Sequence, residues 1–555
     1  MSQRPSYTFK PHERPFMPGS PASPDQPGRR RLAYALIGLL LGVTGGLQNG
    51  LLLANLPQIQ GALGLSVTEG GWIMAAYYMT TACMSMLMFK VRRQFGIERF
   101  LRGGIAALVV ANGLQLLHNS YGIELASRAL SGVVGNVMVT LSMFYLMQAV
   151  PARARVAGLL LGTGLSQLAL PLARTLSPWL LADGDVSRLF VFQFSLSLLC
   201  WGSTSWLHLP EGDTVDSFEW TDLWSFGLFA GGMALACAFL VQGRLLNWTG
   251  DWLGYALAGA ILMIGASLLI ERERQNPMLH LEWMSSRVML KFVATGALLR
   301  ILLSEQTVGA AGLLSVLGMG NDQLVTFYGL LTATTLLGLL MSVARLDPTD
   351  LRRPVLVSLA LIAVCAFVDA SASNLTRPAN FYLSQAAMAF AAIYFMGPFM
   401  TEGLLRALVK GPTHIISFSA LFGLSQTVGG LLGAGLLSWF QTLRAKEHLM
   451  ALGARASAAD PLVAQRIQQL GGALASSVSD PSLRGARASA SFVQQITREA
   501  NVLAFNDVFF WLGVAASACL LAYGAVWLRD RRRGHVPLAR ELAAIQAIRE
   551  RGTAS

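Results

Sequence analysis

Residues 296–318 read GALLRILLSEQTVGAAGLLSVLG, an apolar run of roughly the length that crosses a bilayer, about 20 residues. Two charges, Arg300 and Glu305, stand in its middle. Charged side chains at this depth are costly in lipid and normally face the protein interior or a water-filled cavity. Positions five apart lie about 140° around an α-helix, so the two side chains point in different directions. The stretch therefore predicts a membrane span whose two charges each find a partner on another helix.

The composition of the whole chain agrees with a membrane protein. Of its 555 residues, 54% are hydrophobic and 13% are charged, against about 25% charged in soluble domains. The net charge of +12 does not require nucleic acid, because Lys and Arg in cytoplasmic loops give the same excess. All five cysteines fall inside apolar segments without metal-binding spacing, so we expect neither a disulfide framework nor a metal site. The chain is predicted to be an all-α polytopic membrane protein.

Long apolar segments predict fourteen transmembrane helices, numbered here as spans 1 to 14. Lys and Arg gather in the even-numbered connections, about fifteen of them against about three in the short odd ones. Because cytoplasmic loops carry the positive charge, this bias predicts that both termini are cytoplasmic. The predicted spans cover residues 32–56, 70–90, 100–118, 121–149, 154–181, 188–208, 221–243, 251–270, 288–317, 322–345, 354–372, 378–405, 413–440 and 505–528.

The spans group into two similar halves. GLSQ occurs at 164–167 in span 5 and at 423–426 in span 13, and the basic connection after span 2 has a counterpart after span 10. Duplicated halves are typical of secondary transporters, which bind substrate near the membrane midplane between them. The predicted parts are a disordered Pro- and Arg-rich tail (1–31), an N-terminal six-helix bundle (32–208), two linking helices (221–270), a C-terminal six-helix bundle (288–528) with a periplasmic helical hairpin (441–504), and a cytoplasmic tail (529–555).

Three stretches resemble motifs of one transporter family. FKVRRQFGIERF (89–100), between spans 2 and 3, resembles the loop motif GxLxDRxGRR, and RALSGVVG (128–135) in span 4 resembles the motif RxxxG. QQITREANVLAFNDVFFWLG (494–513) is similar to the end of the family's long outer loop and its last span. The chain thus resembles the fourteen-helix drug:proton antiporter-2 branch of the major facilitator superfamily, of the multidrug-resistance protein B type.

This resemblance implies a major facilitator fold with two six-helix bundles and two linking helices, and a proton-coupled efflux activity. It also implies a conformational-switch loop at Arg92, Arg93 and Gly96. Two departures from the family pattern stand out. Gln48 occupies the position of the acid that is usual in the family's first span, and Arg174 is introduced into the antiporter motif of span 5. The family's proton-carrying residue therefore does not transfer to this chain.

The sequence carries no signature of an enzyme or of an ATPase. It lacks the GxxxxGK[ST] phosphate loop and HExxH, and its seven histidines are scattered. Nothing resembles a nucleophile with a base and an orienting group. We therefore expect no catalytic residue, no cofactor and no metal. The driving force is expected to be an ion gradient, most simply of protons, with sodium left open.

Two acids inside spans are candidates for the proton carrier. A carrier must be a buried carboxylate, because burial favours its protonated form and a nearby Arg favours its charged form. Glu305 fits best, and Glu124 is second. The arginines at depth, Arg128, Arg174 and Arg300, are predicted to form a charge network lining the cavity. Glu124 and Arg128 are four residues apart and share a helix face, so they are expected to pair.

Each of these charges also has a purely structural interpretation. Arg174, in the outer half of span 5, is one candidate partner for Glu305, and a static buried ion pair of the two without proton traffic is the structural alternative. Arg128 can anchor span 4 by hydrogen bonds to carbonyl groups. Glu402 and Arg406 are predicted to form a structural or gating pair near the cytoplasmic end of span 12. Two acids near outer helix ends are expected to be solvated, Asp369 and Asp507.

Polar and flexible side chains within the spans are predicted to line the substrate cavity. The methionines of span 2 can repack around varied ligands, although lipid contact and helix packing explain many of them. Arginines at depth outnumber acids, which favours an anionic or neutral amphipathic cargo over a cationic one. The predicted cavity residues are Gln48, Asn49, Gln167, Gln306, Gln426, Tyr78 and Met79.

Together these patterns favour a proton-coupled antiporter that exports an amphipathic organic compound across the inner membrane. Two alternatives stay open: proton-coupled uptake of a metabolite, and a non-transporting membrane sensor or scaffold. The sequence does not identify the cargo, the direction of transport or the oligomeric state. The resembling family includes pumps that hand cargo to a periplasmic membrane-fusion adaptor and an outer-membrane channel. The hairpin at 441–504 is therefore predicted to help dock such an adaptor, with a lid or spacer as the alternative.

Overall fold

The computed structural model describes residues 13, 19–117, 120–151, 154–181, 184–212, 214, 218–274, 277–456, 460–534 and 538–543. This part of the chain is helical, and its β-structure is an isolated bridge between Pro21 and Gly212. The rest of the two predicted tails lies outside the described residues. The all-α fold class is confirmed.

Predicted spans 1 to 6 fall on six helices of the N-terminal half. Spans 2 and 3 lie on one helical segment that is kinked at Gly96, where φ is 78° and ψ is 164°. Glycine adopts this left-handed φ without steric cost, so the predicted connection is a sharp kink between two helices. The helices are α1 (Gly28–Leu63), α2 (Val67–Leu116), α3 (Tyr121–Ala149), α4 (Arg155–Leu165), α5 (Ala169–Leu180) and α6 (Ser187–Trp206).

The remaining spans fall on helices of the linker and of the C-terminal half. Spans 7 and 8 correspond to α7 (Trp220–Leu245) and α8 (Asp251–Glu273), followed by the short α9 (Leu281–Met284). The C-terminal half consists of α10 (Arg287–Leu302), α11 (Glu305–Val316), α12 (Val325–Ala344), α13 (Arg352–Asp369), α14 (Pro378–Tyr394), α15 (Met396–Lys410), α16 (Pro412–Arg455), α17 (Pro461–Ala473) and α18 (Pro481–Arg532).

By length and apolar composition, the described part of the chain contains 9 helices able to cross a membrane, or 10 if the bent α2 is counted as one span. The chain is therefore a multi-pass membrane protein. Each of the fourteen predicted spans overlaps one or two of these helices, but several of the helices are too short or too polar to meet this criterion. The count of fourteen stays a prediction.

Three predicted spans are broken into two helices. Pro171 and Pro398 lack the N–H that would bond four residues back, to Gln167 and Tyr394, and the breaks in spans 5 and 12 occur there. In span 9 the break falls at residues 303–304, where the Ser304 hydroxyl donates to the Arg300 carbonyl at 3.0 Å. Such bonding by a serine side chain competes with the helix ladder. Discontinuous helices are common beside transporter substrate sites.

Within the N-terminal half, α1 packs tightly on α3 through small residues. Gly38, Gly42 and Gly45 of α1 face Leu146, Ser142 and Met138 of α3. A Cβ placed on Gly45 would lie 2.5 Å from the Met138 Cβ, closer than real side chains approach. Association of membrane helices depends on this kind of close backbone approach, because lipid provides no hydrophobic drive between helices.

The two halves meet through α12, which packs on α4 and α5, and through α16, which packs on α2. Near the predicted outer side, the Asn321 amide donates to the Ala54 carbonyl at 2.8 Å and to the Ser177 hydroxyl at 3.3 Å. Asn321 precedes α12, whereas Ala54 and Ser177 belong to α1 and α5. This contact joins the halves on the side where α12 begins.

The described part of the N-terminal tail differs from the predicted disorder. Ala22 is 1% exposed, and its N–H donates to the Glu211 carbonyl at 3.0 Å. Gln148 at the end of α3 donates to the Ala22 carbonyl at 2.8 Å, and Arg155 at the start of α4 donates to the Ser23 carbonyl at 2.9 Å. Residues 19–27 are therefore packed against the connections α3–α4 and α6–α7, because the backbone groups of this Pro-rich segment find partners there.

The linking helix α7 is tied to α2 by buried charges. Lys90 Nζ lies 2.7 Å from Asp222 Oδ1, and Arg274, just after α8, lies 2.6 Å from the same oxygen. Arg274 also bonds Glu219 and Glu271 at 2.8 and 3.0 Å. Burial alone would lower the pKa of Arg274, but its hydrogen bonds to Glu219 and Asp222 raise the pKa above its ordinary value. Two cations thus face three acids, and these ion pairs fix the linker on the predicted cytoplasmic side.

Two long helices extend past the predicted spans 13 and 14. The helix α16 continues to Arg455 and α18 begins at Pro481, with α17 packed on α18 between them. Gln441 of α16 donates to Asn501 of α18 at 2.9 Å, and Arg444 lies 2.7 Å from Asp507. The residues of the predicted hairpin thus lie on helices that run on from the spans. Their assignment as a separate periplasmic unit stays a prediction.

Candidate functional site

The buried charge of the N-terminal half is a closed ion pair on α3. Arg128 and Glu124 are 0% and 1% exposed, and Arg128 Nε donates to Glu124 Oε1 at 2.7 Å. Arg128 also donates to the carbonyl of Gln48 on α1 at 2.8 Å. The expected pairing of Glu124 with Arg128 is therefore found. The arginine additionally holds α3 to α1, as its structural interpretation requires.

Amides complete this polar layer. The Gln115 amide of α2 lies 3.3 Å from Glu124 Oε1 and within reach of Arg128 and of Gln193 on α6. The backbone carbonyl of Gln193 in turn accepts a hydrogen bond from the Asn112 side-chain amide at 3.1 Å. The Gln48 carbonyl of α1 and polar side chains of α2 and α6 thus surround a pair whose charges cancel.

The buried acid of the C-terminal half has a different environment. Glu305 is 0% exposed and stands at the start of α11, directly after the break in span 9. Its Oε1 accepts from the Gln385 amide of α14 at 3.0 Å and from the Ala310 N–H at 3.2 Å. The same Gln385 nitrogen donates to Asp369 Oδ2 of α13 at 2.8 Å. In the described part of the chain neither carboxylate forms an ion pair with Lys or Arg.

One prediction about Glu305 and one about Asp369 are wrong. Arg174 does not contact Glu305: it hydrogen-bonds the Tyr328 hydroxyl of α12 and lies 4.8 Å from the centre of that ring. The break in span 9 and the position of α14 bring Gln385 to Glu305 instead. Asp369 is not solvated either. It is 3% exposed, because the end of α13 is covered by α14 and α18.

Arg300 is separated from Glu305 by the helix break and faces α16. A Cβ placed on Gly430 would lie 3.3 Å from the Arg300 Nε, so the glycine leaves room for the guanidinium. The Arg300 Nε is buried and has no hydrogen-bond partner among the described residues. The predicted cavity network therefore separates into three parts: the Arg128 pair, the Arg174–Tyr328 contact, and an unpaired Arg300.

Several predicted cavity residues carry buried polar atoms without a protein partner in the described part. The Gln48 amide is 0% exposed and neither its oxygen nor its nitrogen is hydrogen-bonded. A buried amide without a hydrogen-bond partner destabilises the fold unless another group bonds to it. Such amides are therefore expected where a protein binds a ligand or water. The atoms are Gln48 Oε1 and Nε2, Asn49 Oδ1, Gln306 Nε2 and Gln426 Nε2.

The other predicted cavity residues, Tyr78, Met79 and Gln167, are used in helix contacts or lie at a helix break. Asn49 donates to the Tyr78 hydroxyl at 3.2 Å, which joins α1 to α2. Tyr78 and Met79 pack against Phe229 and Cys237 of the linking helix α7, so they are partly used in helix packing. Gln167 lies in the 3-10 turn Ser166–Leu168 that breaks span 5. Its place at a helix break matches that of Glu305 in the other half.

The predicted switch loop packs against two aromatic rings and against the N-terminal segment. Arg92 is buried and its guanidinium stacks on Phe89 and Phe144, with 5.0 and 4.8 Å from its Cζ to the ring centres. The backbone of Arg93 lies beside Gly19 of the N-terminal segment. Gly96 supplies the kink of α2. The structure brings these residues together with residues 19–27, but it does not test their role in a conformational switch.

The outlying acids are also paired. Glu402 and Arg406 form the predicted pair, with 2.6 Å between Oε1 and the guanidinium. Asp507 differs from the expected solvation, because Arg444 and His448 of α16 both lie 2.7 Å from its Oδ2.

Gln385 was not among the site residues predicted from the sequence. Its only signal was an amide two turns into the apolar span 12, in the stretch FYLSQAAMAF (381–390). No group of metal-ligating side chains was found among the described residues.

Known proteins resemble the chain over parts of its length. No family model matches. The fatty acid resistance protein FarB of Neisseria gonorrhoeae is 23% identical over 215 residues, 39% of this chain and 41% of that protein. The major facilitator superfamily multidrug transporter mfsC of Aspergillus fumigatus is 33% identical over 78 residues, 14% of this chain and 15% of that protein. The matched segments thus span less than half of either relative.

Solved structures resemble the whole fold. The human organic anion transporter MFSD10 (TETRAN) superposes with a TM-score of 0.50 at 15% identity, over 88% of this chain and 100% of that one. Tetrameric PepTSo2 superposes with a TM-score of 0.54 at 14% identity, over 90% and 99%. At these identities the likeness concerns the fold alone. It confirms the predicted major facilitator fold, whereas the fourteen-helix branch stays a prediction.

Proposed function

We propose that the chain is a proton-coupled antiporter of the major facilitator superfamily and exports an amphipathic organic compound. The observation that carries this proposal is Glu305, a fully buried carboxylate held by a neutral amide. Burial without a cation disfavours its charged form, so its charge depends on whether a proton is bound. Glu305 is therefore the proposed proton carrier. Glu124 is the weaker candidate, because Arg128 already balances its charge.

The proposed cargo is anionic or neutral. Arg300 is the arginine at depth whose guanidinium nitrogen Nε has no partner in the described chain, and predicted cavity amides of α1, α11 and α16 each have at least one buried atom without a partner there. An amphipathic carboxylate could accept from Arg300 while the amides bind further polar groups. The relative FarB is named for fatty acid resistance, which agrees with a long-chain carboxylate as one cargo to test.

We further propose an inner-membrane location with both termini cytoplasmic, as the Lys and Arg bias indicates. The helical extensions at 441–504 are proposed to dock a periplasmic membrane-fusion adaptor. Such an adaptor would pass cargo to an outer-membrane channel. Deleting residues 455–490 with a short Gly/Ser bridge should leave vesicle transport intact and abolish adaptor co-purification. Unchanged co-purification would exclude docking by these residues.

The orientation has its own test. Cysteine placed at Ser477 should react with an impermeant thiol reagent added to intact cells with permeable outer membranes, and cysteine at Thr349 should not. The native cysteines are buried or half-buried and inside helices, so they give a low background. The opposite labelling pattern would overturn the proposed orientation.

The activity is tested in inverted membrane vesicles. With an imposed proton gradient, wild-type vesicles should accumulate a labelled long-chain carboxylate, and an uncoupler should abolish the accumulation. Release of cargo from the same vesicles would indicate uptake as the physiological direction. No proton-dependent movement across a panel of organic acids, dyes and detergents would favour a sensor or scaffold.

A further inference from the structure

We propose that Glu305, Gln385 and Asp369 form one proton site in which two carboxylates share a single proton. Asp369 is then a second proton-binding group, and Gln385 is a positioning residue. This inference deepens the proposed function and rests on it. The site connects three helices, α11, α13 and α14, so a proton bound there acts on the packing of all three.

The geometry of the amide is the first argument. One nitrogen, Gln385 Nε2, lies 3.0 Å from Glu305 Oε1 and 2.8 Å from Asp369 Oδ2. An amide nitrogen has two hydrogens, so it can donate one to each carboxyl group. The two acids are therefore held beside each other at a fixed spacing by a neutral group that adds no compensating charge.

The second argument is charge. All three residues are buried: Glu305 is 0% exposed, Gln385 1% and Asp369 3%. Two carboxylates in one dry site cannot both be ionised, because they repel each other and neither is solvated. No Lys or Arg of the described chain forms an ion pair with either. One proton per pair is the simplest state of this site at neutral pH.

The surrounding helices carry further charged groups, but the cations described on them form their ion pairs with acids other than Glu305 and Asp369. Glu305 Oε2 is buried without a protein partner, which leaves this oxygen available to a proton. The charged or titratable groups on these helices include Cys365 of α13, Tyr382 of α14, Tyr328 of α12 (which Arg174 of α5 hydrogen-bonds), the Arg352–Asp530 pair of α13 and α18, the Glu402–Arg406 pair of α15, and Asp507 of α18 with Arg444 and His448 of α16.

The step itself conserves charge and atoms. A proton from the outer side binds the free carboxylate of the singly protonated pair, which changes the charge of the pair from −1 to 0. Release of the same proton on the inner side restores the starting charge. Because α11 begins at Glu305 immediately after the break in span 9, a change of charge there can move α11 independently of α10.

The test is infrared spectroscopy of the purified full-length protein during a pH titration. A protonated buried carboxyl group gives a carbonyl band distinct from that of a carboxylate. Wild type should show this band at neutral pH and lose it as the pH is raised. In Asp369→Asn the remaining Glu305 no longer has a like charge beside it, so its proton affinity should fall by about tenfold or more and the band should vanish at lower pH.

Three further variants sharpen the result. Glu305→Gln examines the pair from the other side and should shift the Asp369 band in the same direction, even if Asp369→Asn fails to fold. Gln385→Leu should change the frequency of the band, because a hydrogen bond to the carboxyl group is lost. A purely structural Gln385 would leave the frequency unchanged. The matched control Asp507→Asn removes an acid already paired with Arg444 and should leave the titration as in wild type.

Absence of the protonated band at neutral pH in wild type would overturn the shared proton. The same midpoint in wild type, Asp369→Asn and Glu305→Gln would do so as well. The spectrum needs no cargo and no gradient. A band that behaves as expected in a protein that moves no protons with any cargo would therefore contradict the proposed function while leaving the shared proton in place.

Discussion

Each half of the molecule buries an acid, and the two are held in opposite ways. Glu124 lies 2.7 Å from Arg128 on the same helix. Glu305 has a neutral amide and a second acid beside it, contributed by α14 and α13. The first site carries no net charge whatever the helices do, because residues four apart on one helix stay together. The second changes its charge with every proton. Coupling is therefore expected in the C-terminal half and anchoring in the N-terminal half.

The largest expected effect separates these two acids. Glu305→Gln should reduce proton-driven transport in inverted vesicles to the level of vesicles without the protein, since an amide keeps the shape but cannot titrate. Glu124→Gln is the matched control in the other half and should retain a measurable part of the activity. Equal loss in both variants would contradict the division between the halves.

The N-terminal pair should instead control stability. Arg128→Met leaves Glu124 buried without its cation and should lower the free energy of unfolding by about 3–5 kcal/mol, read as reduced thermal stability in detergent. The double variant Glu124→Gln with Arg128→Met should recover most of that loss, because no uncompensated charge remains. A single variant as stable as wild type would refute the anchoring role.

Arg300 should determine the choice of cargo. Arg300→Gln should weaken transport of a long-chain carboxylate by about tenfold, the value of one charge-assisted hydrogen bond, and leave a neutral amphipathic cargo unaffected. Arg300→Lys keeps the charge and should retain part of the carboxylate transport. Loss of both cargoes in Arg300→Gln would indicate a structural role.

The smallest expected effect concerns the contact between the halves. Asn321→Ala removes the 2.8 Å bond to the Ala54 carbonyl and should favour opening on that side by about 1 kcal/mol. Faster labelling of a cysteine introduced near this contact would measure it. Asn374→Ala, which loses a bond within the C-terminal half to Glu499, is the control and should label as wild type.

The sequence predicted which residues carry charge at depth but not how they pair. Glu124 and Arg128 lie four residues apart, and a helical period is sufficient to join them. The partners of Glu305 come from α13 and α14, roughly 60 to 80 residues away, and helix periodicity carries no information on how separate helices pack. Asp369 was expected to be solvated because it ends a helix. It is buried because neighbouring helices cover that end, and the sequence does not show this packing.

Of the three breaks in the spans, two can be predicted from the sequence and one cannot. Pro171 and Pro398 are visible in the sequence and explain two of the breaks, since proline cannot donate to the helix ladder. The break between Arg300 and Glu305 has no proline, and its serine gives a weak signal. The angle of 140° expected between these two side chains therefore does not apply. The packed N-terminal segment was missed because its composition resembles that of a disordered tail.

One measurement tests the central claim most directly. Purified protein in liposomes containing a pH-sensitive dye is given an outward gradient of a long-chain carboxylate that the wild type transports, and proton movement is recorded together with cargo. Wild type should move protons in the direction opposite to the cargo. Glu305→Gln should still exchange labelled for unlabelled cargo without any change of pH. Proton movement at the wild-type rate in Glu305→Gln would contradict the account and place the coupling elsewhere.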